Sequence, residues 1–142
     1  MDTEKKKKVD LTLTGRHCRD GRWEETVSSC EATWYEKDGT IYLFYEEPDQ
    51  GAGICRSRIT IYERSAEVDR KGAVNAKITY ETGKVHENTY AVPYGVFLVT
   101  TDTRYFYFEK KEGGASLRLE YQISMNGSEP EPATLEVEYH FQ

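Results

Sequence analysis

Polar and apolar residues alternate along most of this chain, which is the period of a half-buried β-strand. In the first such stretch, residues 9–19, the apolar positions begin with Val9, Leu11 and Leu13. The last stretch, residues 133–141, alternates in the same way. The pattern predicts antiparallel strands throughout and no helix.

Glycine turns separate the predicted strands. Asp20-Gly21 and Asp38-Gly39 lie between β-forming runs, and Asp-Gly is a strong hairpin signal because glycine adopts positive φ at little cost. Read as two-residue loops, they fix the register of the first three strands. The second turn then places Trp34 opposite Leu43. The first turn, also taken as a two-residue loop, pairs Leu11 with Cys30 on the same apolar face. We take this face as the interior of the barrel.

Two later turns are less regular in composition. Arg70-Lys71-Gly72 suits a three-residue hairpin, which would pair Val68 with Val74 and make Arg70 a turn residue. Gly113-Gly114 suits a two-residue loop, and it would pair Phe108 with Leu119. On the opposite face, that register brings Glu109 beside Arg118 as a cross-strand ion pair.

The strand count and the short connections predict the architecture. About ten strands in succession favour an up-and-down barrel over a Greek-key sandwich, because the sandwich needs long crossovers. Closure also removes the edges that a long meander would expose. We therefore expect an all-β antiparallel meander closed into a barrel of about 8–10 strands, whose interior is either filled or holds one small ligand.

Length and charge limit the function classes. The 142 residues suit one domain, which we place at residues 9–142 after a disordered basic leader at residues 1–8. The net charge of −6 argues against a nucleic-acid partner, and no apolar run reaches the ~20 residues of a membrane helix. Three cysteines without framework spacing indicate buried reduced thiols and a cytoplasmic location, although an inward bridge from Cys30 to Cys55 stays open.

No catalytic or metal-binding arrangement emerges from the spacings. His17, His86 and His140 lie far apart along the chain, so none forms a pair at metal spacing. Glu46 and Glu47 are neighbours on a strand and point to opposite faces. We therefore expect no enzyme activity, no metal and no cofactor.

The predicted inner face supplies a candidate ligand site. Its large apolar and aromatic side chains and its charged groups form the candidate set: Trp34, Leu43, Tyr45, Glu47, Arg104, Phe106, Phe108 and Tyr121. If Glu47 and Arg104 are both inside, they must pair with each other; otherwise they lie at strand ends and reach water. The first hypothesis is a barrel that binds a small apolar or aromatic molecule.

The alternative hypothesis is a structural or interaction protein with a filled core. Tyr42 and Phe44 fall on the outer face and are candidates for a homodimer or partner contact. The segment Tyr94–Thr101 is apolar on both faces, which predicts that a neighbouring subunit or the leader covers it.

Four segments in a fixed order resemble a known family. They are Y-L-F-Y-E-E at Tyr42–Glu47, D-R-K-G at Asp69–Gly72, V-P-Y-G at Val92–Gly95 and L-R-L-E-Y-Q-I at Leu117–Ile123. Their order and spacing, over residues 9–141, resemble the YwiB-like proteins of Bacillus and related Firmicutes, a family of unknown function. The resemblance implies a calycin-type β-barrel, similar to lipocalins and fatty-acid-binding proteins, in a bacterial cytoplasm. The resemblance implies no catalytic residues for this chain.

Overall fold

Ten antiparallel strands close into a barrel in the computed structural model, which describes residues 5–49 and 53–142. The strands are β1 (Lys7–Arg19), β2 (Arg22–Lys37), β3 (Thr40–Asp49), β4 (Gly53–Ile61), β5 (Ser65–Lys71), β6 (Asn75–Glu81), β7 (Val85–Val92), β8 (Gly95–Lys111), β9 (Gly114–Met125) and β10 (Glu131–Phe141). Each strand pairs with the next along the chain, and β10 pairs with β1 to close the ladder. The predicted up-and-down barrel is confirmed.

Strand boundaries differ from the predicted ones at two places. β1 begins at Lys7, two residues before the expected start, and the first four residues of the expected leader lie outside the described residues. The expected loop at residues 48–53 is shorter, because Pro48 and Asp49 extend β3 and Gly53 begins β4. The remainder of that loop, residues 50–52, also lies outside the described residues.

The two Asp-Gly turns set the register as predicted. Asp20 and Gly21 both have positive φ, at 52° and 76°, as do Asp38 and Gly39, which is the signature of type I′ hairpins. Leu11 consequently lies opposite Cys30, and Trp34 lies opposite Leu43.

Strand connections alternate between two ends of the barrel. We call the end that holds the Asp38-Gly39 turn the packed end and the end that holds the Asp20-Gly21 turn the open end. The fully buried side chains fill the packed end and the middle of the barrel; the largest include Leu11, Leu43, Ile59, Ile61, Leu117 and Leu119. Burying an aliphatic side chain of this kind contributes about 1.5–3 kcal/mol, so this half of the barrel contains most of the apolar stabilisation.

Two predicted registers are wrong, each by an even number of residues. Val68 lies opposite Ile78 instead of Val74, because the chain between β5 and β6 turns over residues 72–74 and Arg70 stays on the strand. Phe108 lies opposite Leu117 instead of Leu119, because the β8–β9 turn lies one residue earlier than expected. An even shift leaves every side chain on its predicted face.

The second shift also removes a predicted ion pair. Arg118 faces Tyr107 across the ladder instead of Glu109. Its guanidinium donates to the carboxylates of Glu120 and Glu136.

Two seams interrupt the backbone ladder. β2 pairs with β3 only through Thr33–Lys37, so residues 22–32 of β2 have no strand partner on that side among the described residues. At the β6–β7 seam, the ladder covers only Asn75 and Ala76. Here the side-chain Oδ1 of Asn88 accepts the Thr79 amide hydrogen at 3.1 Å and replaces a backbone bond.

The outer face at the beginning of β8 is not covered by any residue that the structure describes. Val96 is 68% exposed, Leu98 42% and the neighbouring Tyr94 83%. The expectation that the chain's own leader covers this strand is not met by any described residue.

Candidate ligand cavity at the open end

A cavity of about 440 Å³ lies inside the barrel at the open end. Its walls are mainly apolar and aromatic, with contributions from Val68, Ile78, Tyr90, Phe97, Val99 and Ile123. The volume falls in the range of roughly 300–1,000 Å³ that is typical of small-molecule sites. The packing that fills the other half of the barrel therefore stops short of this end.

A row of paired residues explains the empty space. Arg70 lies opposite Ala76, Ala76 opposite Tyr90, and Tyr90 opposite Phe97, so four neighbouring strands present these inner-facing side chains at one level. Ala76 is small, and it leaves a gap between the guanidinium and the phenol ring. The alternation of each strand thus produces the cavity wall directly.

Arg70 is the principal charged group of the cavity. Its side chain is only 35% exposed, and its Nη2 lies 3.7 Å from Oε2 of Glu47. Burial alone would lower the pKa of Arg70, but the Glu47 carboxylate and the neighbouring tyrosines outweigh it, so that the pKa is raised. The guanidinium is therefore a permanent cation held largely away from bulk water.

One buried tyrosine, Tyr80, lines the cavity together with Arg70, and Tyr121 packs against it from outside the lining. The rings of Tyr80 and Tyr121 lie 4.8 Å apart in an edge-on arrangement. Burial and the adjoining Tyr121 raise the pKa of Tyr80 well above its ordinary value. Burial, with Glu47 as a second cause, also raises the pKa of Tyr45. These phenols stay protonated at neutral pH and remain hydrogen-bond donors.

A second acid–base pair lies at the rim of the cavity. His17 Nε2 is 3.0 Å from Oε1 of Glu131, and both side chains are about one-third exposed. This pair joins β1 to the beginning of β10 at the open end.

Among the other depressions on the barrel, two are alternative candidates for a ligand site. A shallower groove of about 720 Å³ crosses the turns of the packed end, but the buried Ile41 and Ile61 close its floor. Another, of about 560 Å³, follows the β2–β3 seam beside Cys30, Tyr45 and Ser57. Neither combines apolar walls with a largely buried charge, so the open-end cavity is the stronger candidate site.

The predicted site residues fall into separate groups. Trp34 and Leu43 lie toward the packed end, where Leu43 is fully buried and Trp34 Nε1 donates to the Tyr139 hydroxyl at 3.3 Å. Phe106 and Phe108 pack against the core and line the groove at the packed end.

The remaining predicted residues lie near the open end. Tyr121 packs against the cavity-lining Tyr80, and Glu47 pairs with Arg70, whereas Tyr45 lines the groove along the β2–β3 seam. The structure therefore does not bring the predicted set together as one site.

The inward placement of Arg104 is wrong. The β8–β9 register shifts between Thr103 and Tyr105, which makes Arg104 the extra residue of a bulge. Its side chain is exposed and donates to Oδ2 of Asp102 at 2.9 Å. Of the two alternatives for Arg104, the pair with Glu47 does not form and the side chain reaches water; Glu47 lies beside Arg70 instead.

Sequence reasoning missed Arg70, Tyr80 and Tyr90. A signal was present for Arg70, because it continues the inward alternation of Ala66 and Val68. The assumption of a tight turn at residues 70–72 ended the strand too early and hid that signal.

For the cysteines and the other side chains that could hold a metal, the sequence predicts no disulfide framework and no metal site. All three cysteines are free thiols, so no bridge joins Cys30 to Cys55. Cys55 is the buried one, whereas Cys18 and Cys30 are partly exposed, which corrects the expectation of three buried thiols. Within residues 5–49 and 53–142, no group of three or more His, Cys, Asp or Glu side chains is placed to hold a metal ion.

The same part of the chain contains no helix that is long and apolar enough to cross a membrane.

The closed ten-stranded ladder and the cavity at one end define the class of protein, a calycin-like β-barrel. A family model described as a domain of unknown function, DUF1934, matches residues 11–137, and the chain belongs to this family. The barrel is similar to the crystal structure of the ywiB protein from Bacillus subtilis, with a TM-score of 0.85 and 20% identity over 96% of this chain and 93% of that one. No curated protein matches the chain. The resemblance to YwiB-like proteins is thereby confirmed, and the structural similarity establishes the fold.

Proposed function

We propose that this protein binds a small, largely apolar molecule in the open-end cavity. The observation that carries the proposal is the unfilled, aromatic-lined space of about 440 Å³ in a barrel whose other half is closely packed. Apolar walls with a few polar groups are the usual composition of a ligand site.

The proposed role is binding without catalysis. Two of the titratable groups that line the cavity already have an acidic partner, since Arg70 lies beside Glu47 and His17 lies beside Glu131. None of them is placed beside a nucleophile among the described residues. A bacterial, cytoplasmic setting is part of the same proposal, and the odd number of cysteines supports the location.

The test is to fill the cavity and measure the loss of binding. Ala76→Trp places a ring in the gap between Arg70 and Tyr90, and Lys77→Trp adds the same ring to the exposed outer face of β6. Binding of the neutral fluorophore N-phenyl-1-naphthylamine is measured for both variants and for the unaltered protein.

We expect Ala76→Trp to weaken probe binding about tenfold or more and Lys77→Trp to leave it unchanged. Far-ultraviolet circular dichroism confirms that each variant is folded. Equal binding by Ala76→Trp and the unaltered protein would contradict the proposal. Native mass spectrometry of freshly purified protein adds a second test, since a retained small molecule should be absent from Ala76→Trp.

A second candidate function is self-association through the outer face of β8, where Tyr94, Val96 and Leu98 are exposed. Large exposed apolar patches commonly mark interaction sites. Phe44, which stacks on Tyr42 at 6.4 Å between ring centroids, marks a separate outer patch. Sedimentation of Leu98→Glu and Phe44→Glu would show which patch, if either, holds a dimer together. A monomeric unaltered protein would count against this candidate.

A further inference from the structure

We propose that Arg70 binds a carboxylate, so that the cavity selects amphipathic monocarboxylic acids over neutral molecules of the same shape. The inference rests on the proposed function and names the ligand class for that same cavity.

Arg70 has unused hydrogen-bond donors. A guanidinium carries five N–H groups, yet its contact with Glu47 at 3.7 Å is too long for a hydrogen bond. No other described residue accepts a hydrogen bond from it. The side chain is 35% exposed and none of its nitrogens is a buried atom without a partner, so its free N–H groups face solvent in the cavity and are available to a ligand that supplies oxygen atoms.

The surroundings of Arg70 favour an acceptor over a donor. Tyr45, Tyr80 and Tyr90 lie close enough to influence the guanidinium electrostatically, and a protonated phenol can donate. A carboxylate only accepts hydrogen bonds, and its two oxygens match the planar fork of arginine. A cationic ligand, by contrast, would be repelled by Arg70.

Glu47 is a carboxylate that an incoming acid can replace. Its side chain is 27% exposed, so it can keep water contacts after the exchange. Arg70 has one carboxylate beside it before and after the exchange. Glu47 is solvated by water once it is displaced, so neither Arg70 nor Glu47 becomes an unpaired charge in apolar surroundings. Glu47 thus competes with the ligand for the same cation.

The apolar wall beyond Arg70 accommodates the body of the acid. Val68, Ile78 and Val99 continue the inner faces of β5, β6 and β8 from the Arg70 level toward the core. A short alkyl chain or a single aromatic system placed there keeps its carboxylate at Arg70.

The experiment compares probes that differ only in their head group. Octanoate and octan-1-ol are titrated calorimetrically into the unaltered protein, and 2-naphthoate and 2-naphthalenemethanol serve as a second pair. We expect each carboxylate to bind about tenfold or more tightly than its alcohol, because a hydrogen bond to a charged group is worth at least that factor.

Two variants assign the preference to Arg70. Arg70→Met should remove the preference, so that each carboxylate and its alcohol bind with the same affinity. Glu47→Gln removes the competitor and should tighten carboxylate binding several-fold relative to alcohol binding, which is a gain that misfolding cannot produce.

The outcomes separate the two proposals. Equal affinities for acid and alcohol, or weaker carboxylate binding by Glu47→Gln, would overturn the assignment to Arg70 and leave the ligand cavity intact. Failure of both probe pairs and of the neutral fluorophore would overturn the ligand cavity itself.

Discussion

Gly114 lies at the start of β9, directly against the backbone of β10. A Cβ atom built there would collide with the carbonyl oxygen of Tyr139, and backbone cannot move aside as a flexible side chain can. Gly15, inside β1, has open space at the same position. A larger side chain is therefore sterically excluded at Gly114 but has room at Gly15.

We predict that Gly114→Ala lowers the free energy of unfolding by about 2 kcal/mol or more, since the β9–β10 ladder must shift. Gly15→Ala should be neutral or stabilise the protein by about 0.5–1 kcal/mol, because glycine is unfavourable inside a strand. Urea unfolding followed by circular dichroism measures both variants. An unchanged free energy of unfolding in Gly114→Ala would contradict this prediction.

At the scale of single residues, the sequence predicts which face of the sheet a side chain lies on better than it predicts which residue lies opposite it. Leu43 and Trp34 were placed on the inner face correctly, because alternation fixes direction without knowledge of the neighbouring strands. Arg104 was misplaced because a bulge reverses direction at one residue, and alternation cannot indicate where a bulge occurs. Arg70 was missed because a turn length was assumed.

At the scale of strands, side chains complete the ladder where backbone bonds stop. Along the β6–β7 seam, Asn88 accepts the Thr79 amide hydrogen, and the Thr101 hydroxyl donates to the Thr79 carbonyl at 2.6 Å. Both backbone groups of Thr79 are thus satisfied by side chains. The alternation of polar and apolar residues does not predict this seam. It indicates which side chains point inward, but it does not indicate where two neighbouring strands stop forming backbone hydrogen bonds.

We predict that Asn88→Ala destabilises the protein by about 1–2 kcal/mol, because the Thr79 amide loses its acceptor in a half-buried position. Amide hydrogen exchange should accelerate at Thr79 before it does elsewhere in β6. Glu87→Ala, which removes an exposed neighbour on the same strand, is the matched control and should change neither quantity. Unchanged exchange at Thr79 would show that the hydrogen bond contributes little.

At the scale of the whole molecule, the barrel is packed at one end and hollow at the other. Arg70 with Glu47, and Tyr80 with Tyr121, lie toward the open end, whereas the packed end is filled by aliphatic side chains. The even register errors did not affect the prediction of closure, since closure depends on strand number and connection length. The cavity could not be predicted, because it depends on how small Ala76 is relative to its neighbours in space.

The buried tyrosines make stability depend on alkaline pH. Burial is the main cause that raises the pKa values of Tyr80, Tyr121 and Tyr139. Tyrosines of the unfolded chain ionise near pH ~10. Above that pH the unfolded state releases protons that the folded state retains, so the stabilisation is complete below pH ~10 and is lost as the pH rises further.

We therefore predict that phenolate absorbance at 295 nm rises in a steep step that coincides with the loss of β-sheet circular dichroism. The double variant Tyr80→Phe, Tyr121→Phe should show a smaller step and a shallower decline of unfolding free energy with pH. Complete ionisation of the tyrosines in a protein that is still folded would contradict this prediction.

The ladder between β1 and β10 joins Val9 to Phe141, and this has a consequence for protein synthesis. β1 is synthesised long before β10, which is one of its two neighbours in the barrel. At about 5–20 residues per second, the time between the synthesis of the two strands is on the order of ten seconds. During that interval the nascent chain carries an open strand edge that other nascent chains can join. Chaperone dependence and co-translational aggregation should therefore be sensitive to how quickly the last strand is translated.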